Sequence, residues 1–164
     1  MSGSRVRITS VAVAALGLAG FSLPSQAVMI SAGSNTHDFS WSQTVTGTDG
    51  LQHTLTGTGL MTISGFGSSL LTVNVTLNNT SSLGGQGGER LTAFGFGISP
   101  NATSVSFGDN PNDGGMINAT LGQTFPSMQG IEVCAIGGQT CAGGGNGGIF
   151  AGTSDFFKIT LGGT

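Results

Sequence analysis

The sequence predicts an all-β protein, an antiparallel β-sandwich of jelly-roll or immunoglobulin-like type with about eight strands and one disulfide-stapled loop. Three observations carry that prediction. After Ala27, apolar and polar residues alternate with period two through most of the chain, and no stretch there has the 3.6-residue period of a helix. Gly, Asn, Asp or Pro interrupts the alternation at short intervals, as turns do. Thr and Ser fill many of the wet positions; they favour extended backbone but add no charge, so exposed edges are poorly guarded against pairing with other chains.

The first 27 residues stand apart. Arg5 and Arg7 precede a mostly apolar run from Val11 to Leu23, and Ser25 and Ala27 place small residues three and one positions before a cut between Ala27 and Val28. This is the pattern of a secretory signal peptide, so residues 28–164 are expected to form a single glycine-rich domain, secreted or held at the cell surface. The apolar run is shorter than the ~20 residues a membrane span needs, so no stable span is expected in the mature chain. Arg5 and Arg7 are not adjacent, which favours the Sec pathway over the twin-arginine one.

Cleavage would remove two of the four basic residues and leave Arg90 and Lys158 against all seven acids. With no basic patch to neutralise phosphates, nucleic acid is excluded as a partner. The mature chain suits one domain with a real core. Glycine is about three times its usual share, yet apolar residues are abundant and charge is scarce, which is not the composition of a disordered chain.

The strands follow in order. Phe39, Trp41, Gln43 and Val45 alternate with Ser40, Ser42, Thr44 and Thr46, and Thr48-Asp49-Gly50 offers a hairpin turn. His37, upstream, is expected in an unstructured new N-terminus. The return strand sets Leu51, His53, Leu55, Met61 and Ile63 on one side, with Gly57 and Gly59 marking an expected bulge. Leu71, Val73, Val75 and Leu77 form the cleanest alternation, and a loop is expected from Asn78 to Gly88. Leu91 to Ile98 follows, with Phe94, Phe96 and Ile98 opposite small residues that let a neighbouring backbone approach. Shorter strands are expected at Thr103–Phe107, Met116–Leu121 and from Ile131 to the Gly137-Gly138 pair. The closing strand, Asp155–Leu161, presents Phe157, Ile159 and Leu161 against Phe156, Lys158 and Thr160.

Cys134 and Cys141 enclose six residues, enough to turn the chain and bring the sulfurs together. In an exported chain this reads as a disulfide, contributing roughly 2.5 kcal/mol on the chain-entropy model. A redox pair would want C-x-x-C, and zinc would need further ligands, whereas the histidines, His37 and His53, lie far upstream. The glycines from Gly143 to Gly148 could wrap a ligand or cross the end of a sheet. They are not a phosphate loop, since no Lys-Ser or Lys-Thr follows.

Glu132-Val133-Cys134, Cys141 with the glycines and Asn146 after it, Leu77-Asn78-Asn79-Thr80-Ser81 and Arg90-Leu91-Thr92-Ala93-Phe94-Gly95-Phe96 together resemble the cistern family of PEP-CTERM proteins. The resemblance runs from about Phe39 to Leu161, and its most specific part is the cysteine-glycine segment. It implies a protein exported by a Gram-negative bacterium. Members typically end in a Pro-Glu-Pro motif, a membrane helix and a basic tail that an exosortase is thought to process. This sequence stops at Leu161-Gly162-Gly163-Thr164, so either the chain is truncated before a sorting tail or this member is released without sorting.

Candidate chemistry is sparse. Asp109 and Asp113, in Phe107-Gly108-Asp109-Asn110-Pro111-Asn112-Asp113-Gly114-Gly115, offer the one cluster of oxygen ligands suited to calcium. Pro111 and Thr120 stand where an EF-hand loop would need ligands, so a surface turn is the expectation and no metal residue is assigned. Glu89, Glu132 and Asp155 show no spacing that pairs them for glycoside hydrolysis, and His53 lies on the apolar side of its strand. With one Trp and no Tyr, an aromatic sugar platform is hardly furnished, and Phe39, Phe94, Phe96, Phe156 and Phe157 read as core. No catalytic residue and no cofactor are expected. The expected function is a non-enzymatic structural or interaction protein of the bacterial envelope or biofilm matrix, its partners extracellular polysaccharide or other envelope proteins. The alternative is a polysaccharide-binding module aided by calcium.

Overall fold

The computed structural model describes residues 5–15, 28–46, 50–82, 89–109, 114–122, 132–142 and 146–163. Among them are eleven strands: β1 Arg5–Ala15, β2 Val28–Ser31, β3 Thr36–Thr46, β4 Gln52–Ser64, β5 Leu70–Asn79, β6 Arg90–Ser99, β7 Ser104–Gly108, β8 Asn118–Leu121, β9 Val133–Ile136, β10 Ile149–Phe150 and β11 Ser154–Gly162. The all-β expectation holds. One sheet runs β2-β1-β6-β9-β8, with β10 pairing β6, and the other runs β3-β4-β5-β11-β7. Every strand pair is antiparallel.

The two inner faces close over one core. Met61 and Ile63 of β4, Leu71, Val73, Val75 and Leu77 of β5, and Phe157, Ile159 and Leu161 of β11 come from one sheet. Phe94, Phe96 and Ile98 of β6, with Ala119, Val133 and Ala135, come from the other. Those of β4, β5, β6 and β11 are the residues that the period-two reading placed on dry faces. Phe94 meets both the edge strand β3 and the inner strand β11 of the opposite layer, its ring 5.5 Å from that of Phe39 and 6.3 Å from that of Phe157.

Three local expectations are corrected. His37 is not in an unstructured arm; it stands in β3 opposite Met61, its ring 6.1 Å from that of Phe39. Asn78 and Asn79 belong to β5, not to the loop that follows. Gly57 and Gly59 make no bulge, since β3 and β4 pair without a shift from Thr36↔Thr62 to Thr46↔Gln52. A Cβ on Gly57 would lie 1.9 Å from the Trp41 ring, and one on Gly59 would lie 2.1 Å from the Phe39 ring. The glycines are there because two aromatic rings lie across them. A bulge does fall at Thr92, where the register steps from Ala14↔Ala93 to Ala15↔Leu91. Its carbonyl accepts the N–H groups of Gly137 and Gly138, and the extra residue lets Leu91 and Phe94 both reach the core.

Thr48 and Asp49 of the expected hairpin, Ile131, Ala27 at the expected cut and Gly143 to Gly145 lie outside the described residues. The structure is that of the uncut chain. Arg5–Ala15, within the stretch read as an export signal, forms β1 against β6 from Arg7↔Ser99 to Ala15↔Leu91. Val28–Ser31, just after the expected cut, pairs with the outer edge of β1.

Candidate functional site

Cys134 and Cys141 form a disulfide, with Cα atoms 6.1 Å apart. Cys134 stands opposite Gly95 on one side and Thr120 on the other, so its side chain leaves the sheet away from the core. Cys141 Sγ lies 3.7 Å from Thr120 Oγ1 on that same outer face. The bond therefore folds the loop back over the middle of β9.

The glycines around it bring backbone against backbone. A Cβ on Gly137 would sit 2.7 Å from Gly148 Cα, and one on Gly147 would sit 1.9 Å from the Gly137 carbonyl oxygen. Gly148, at φ +109°, lies over the Leu91 carbonyl, and the Arg90 guanidinium donates to the Asn146 carbonyl while covering the Phe150 ring at 4.2 Å. Of the two uses the sequence left open for this segment, its described part crosses the sheet end.

The titratable groups are scattered. His53 Nδ1 is 3.4 Å from Glu89 Oε1, both side chains mostly covered. Glu132 Oε2 accepts the Ile98 N–H at 3.3 Å, at the opposite end of β6 from Glu89. Asp155 is buried, and its Oδ2 accepts the Met116 N–H at 2.8 Å, tying β11 to the segment before β8. Glu89, Glu132 and Asp155 are thus each engaged with a different partner. Asp109 is half-buried, and Asp113 lies outside the described residues. Among the described residues no three His, Cys, Asp or Glu side chains are grouped to hold a metal, and no helix is long and apolar enough to cross a membrane.

Asn79 has a structural role that the period-two reading did not assign. Buried at the end of β5, it donates from Nδ2 to the carbonyls of Ile149 at 2.9 Å and Glu89 at 3.3 Å, and its Oδ1 accepts the Ser81 N–H. Ser81 Oγ in turn accepts the Thr56 N–H at 3.0 Å. The Leu77-Asn78-Asn79-Thr80-Ser81 run thus laces one sheet to the other.

The surface best suited to a partner is the outer face of the β3-β4-β5-β11 sheet. In-register rows cross it: Asp38, Leu60, Thr76 and Phe156 in one, Ser40, Thr58, Asn78 and Ser154 in the next. A third row holds Thr36, Thr62, Asn74 and Lys158. A shallow depression lies between Asp38, Ser40, Thr58, Leu60 and Asn78. Asn78 Nδ2 donates to Thr58 Oγ1 at 3.2 Å, and Thr80 Oγ1 donates to Thr56 Oγ1 at 3.0 Å. Phe156, expected in the core, is 59% exposed here, beside Leu60 at 37%. Its exposure follows from the alternation of β11, which sends Phe157 inward. Hydroxyls, amides and a small apolar strip with one carboxylate and one amine suit a neutral, polyhydroxylated surface.

The chain matches no protein-family model, and neither the curated proteins nor the solved structures contain a significant match to it.

Proposed function

We propose that this protein is a non-enzymatic, exported structural and interaction protein of the bacterial envelope or biofilm matrix. The observation that carries this reading is the stapled sandwich itself: the described part of the cysteine-glycine segment is spent on holding backbone to backbone, and the rows on the outer face of the β3-β4-β5-β11 sheet carry only Asp38 and Lys158 as charged groups. The leader-like N-terminus and the resemblance to the cistern PEP-CTERM family support export. Fractionating cultures of the native host tests it. Recovery with the extracellular matrix or outer surface is the expected result, and confinement to the cytoplasm overturns it.

A second reading, a polysaccharide-binding module, is favoured by the Phe156–Leu60 row set among hydroxyls and amides. A glycan array with and without chelator separates the two. Retention of a polymer that Phe156→Ala abolishes supports the binding module, and loss of retention with chelator adds calcium at Asp109 and Asp113. No retention leaves the structural reading in place.

A further inference from the structure

β6 is a central strand only because β1 lies beside it. Its residues from Leu91 to Ile98 are buried, and β1 pairs with it at eight positions between Arg7↔Ser99 and Ala15↔Leu91. Cutting after Ala27 would take β1 away. The N–H and C=O groups on that side of β6 would then lose their partners, along a strand with no Pro and no charge between Leu91 and Ser99.

The vacated place is a slot for one strand. Beyond β6 on that side, the opposite sheet continues into β4 and β3, as the contact of Phe94 with Phe39 shows. Two copies meeting β6 to β6 would drive these overhanging strands into one another, whereas a lone extended segment would not. The register states what the slot accepts. Ile8, Val11 and Val13 stand opposite Ile98, Phe96 and Phe94, and Ser10, Ala12 and Ala14 stand opposite Gly97, Gly95 and Ala93. In this register bulky residue types fall opposite the core-side residues of β6 and small types fall opposite Gly97, Gly95 and Ala93.

We propose that in the mature chain this slot is filled by the N-terminal arm, Val28–Asn35, of a second copy. The proposal rests on the export reading above. Removing β1 also strips β2 of its only strand partner among the described residues, so the arm is released by the same cut. Laid antiparallel on β6, Val28, Ile30 and Ala32 fall opposite Ile98, Phe96 and Phe94, and Ser31 and Gly33 fall opposite Gly95 and Ala93. Val28, Ile30, Ser31 and Gly33 thereby repeat the bulky and small pattern of β1, while Met29 falls opposite Gly97 and Ala32, opposite Phe94, is smaller than Val13 of β1.

The molecule's own arm cannot do this. Ser31 bridges Ser34, and the Asn35 carbonyl is fixed to the Ile63 N–H, at a level beyond the Ser99 end of β6. Placing Gly33 opposite Ala93 would move it about eight residue steps along the strand, roughly 26 Å. The two residues from Gly33 to Asn35 span at most about 7 Å. Donation must therefore come from another copy, and since each copy both gives an arm and offers a slot, donation that is not returned by the same partner is head-to-tail and builds open chains.

The test uses protein isolated from the medium or cell surface, with its N-terminus sequenced and its mass measured by light scattering over a hundredfold range of concentration. Protein beginning at Val28 is expected to form a concentration-dependent ladder of oligomers. Ile30→Asp, which places a charge opposite Phe96, should reduce it to monomer. Excess synthetic peptide spanning Val28–Asn35 should shorten the ladder by capping open slots, a readout that needs no substitution. A monomer beginning at Val28, or oligomers indifferent to both Ile30→Asp and the peptide, overturns the proposal with the export reading intact. Exported protein beginning at Met1 sinks the cleavage itself, and the arm exchange with it.

Discussion

The ring of Phe94 in β6 lies 5.5 Å from that of Phe39 in β3, the planes only 16° apart, so the two sheets are joined by a stacked aromatic pair. Phe94 is fully buried and also meets Phe96 and Phe157, whereas Phe156, one residue from Phe157, faces solvent. Phe94→Ala is expected to destabilise the fold by about 3–5 kcal/mol through lost burial and a cavity at the centre. Phe156→Ala is expected to stay within about 0.5 kcal/mol of the parent. Urea unfolding of the two variants checks the contrast, and equal losses would mean that Phe156 belongs to the core after all.

Asn79 binds three backbone groups from inside the fold. Asn79→Ala would leave the Ile149 and Glu89 carbonyls and the Ser81 N–H without that partner. A loss of about 2–3 kcal/mol is expected, read as a drop in the denaturation midpoint. Asn78→Ala, next to it on the exposed face with one bond to Thr58, should cost far less.

Thr92 carries a buried hydroxyl with no hydrogen-bond partner among the described residues, at the bulge of β6. Thr92→Val exchanges it for a methyl of the same shape. The variant should be at least as stable as the parent, by up to about 1 kcal/mol. A clear loss in a thermal scan would show that the hydroxyl is bonded.

Thr92 also shows where the sequence stops being legible. The dry faces of β5, β6 and β11 could be read residue by residue, because one-sided burial forces period two. Bulges could not. Glycine in a strand signals either a bulge or a close approach, and at Gly57 and Gly59 the rings of Trp41 and Phe39, supplied by the next strand, decided for close approach. The bulge of β6 sits at Thr92, whose carbonyl is taken by the Gly137 and Gly138 N–H groups from some 45 positions away. The candidate face was half legible. Alternation places Thr76 on the wet side, but the same reading puts Asn78 in a loop and Phe156 in the core, and only the register of β4, β5 and β11 lines up Leu60, Thr76 and Phe156 in one row.

Calcium is expected to leave the melting temperature unchanged. A site loaded only in the native state would add about 2.7 kcal/mol at a hundred times its Kd, a shift no thermal scan would miss. A rise with calcium that Asp109→Ala removes would make the Asp109–Asp113 turn a metal site.

The disulfide joins the outer face of β9 to a loop whose glycines already pack against Leu91 and Thr92. Reduction frees the chain between Cys134 and Cys141 in the unfolded state, and for so short a loop the chain-entropy model gives about 2.5 kcal/mol. Replacing both cysteines by serine should cost a similar amount. The fold should survive, because Cys134 and Cys141 lie on the outer face while the core is built from Val73, Val75, Phe94, Phe96, Phe157 and Ile159 on the inner ones. Ala135, beside Cys134 and opposite Phe94, holds β9 to β6 by backbone bonds that do not involve the sulfurs. Thiol labelling of denatured, unreduced protein should find no reactive cysteine, and labelling after reduction should find both. Circular dichroism and urea unfolding of the double-serine variant then decide the rest: a cooperative transition at a lower midpoint is expected, and a chain without β signal would show that the staple, rather than the two inner faces, holds the sandwich closed.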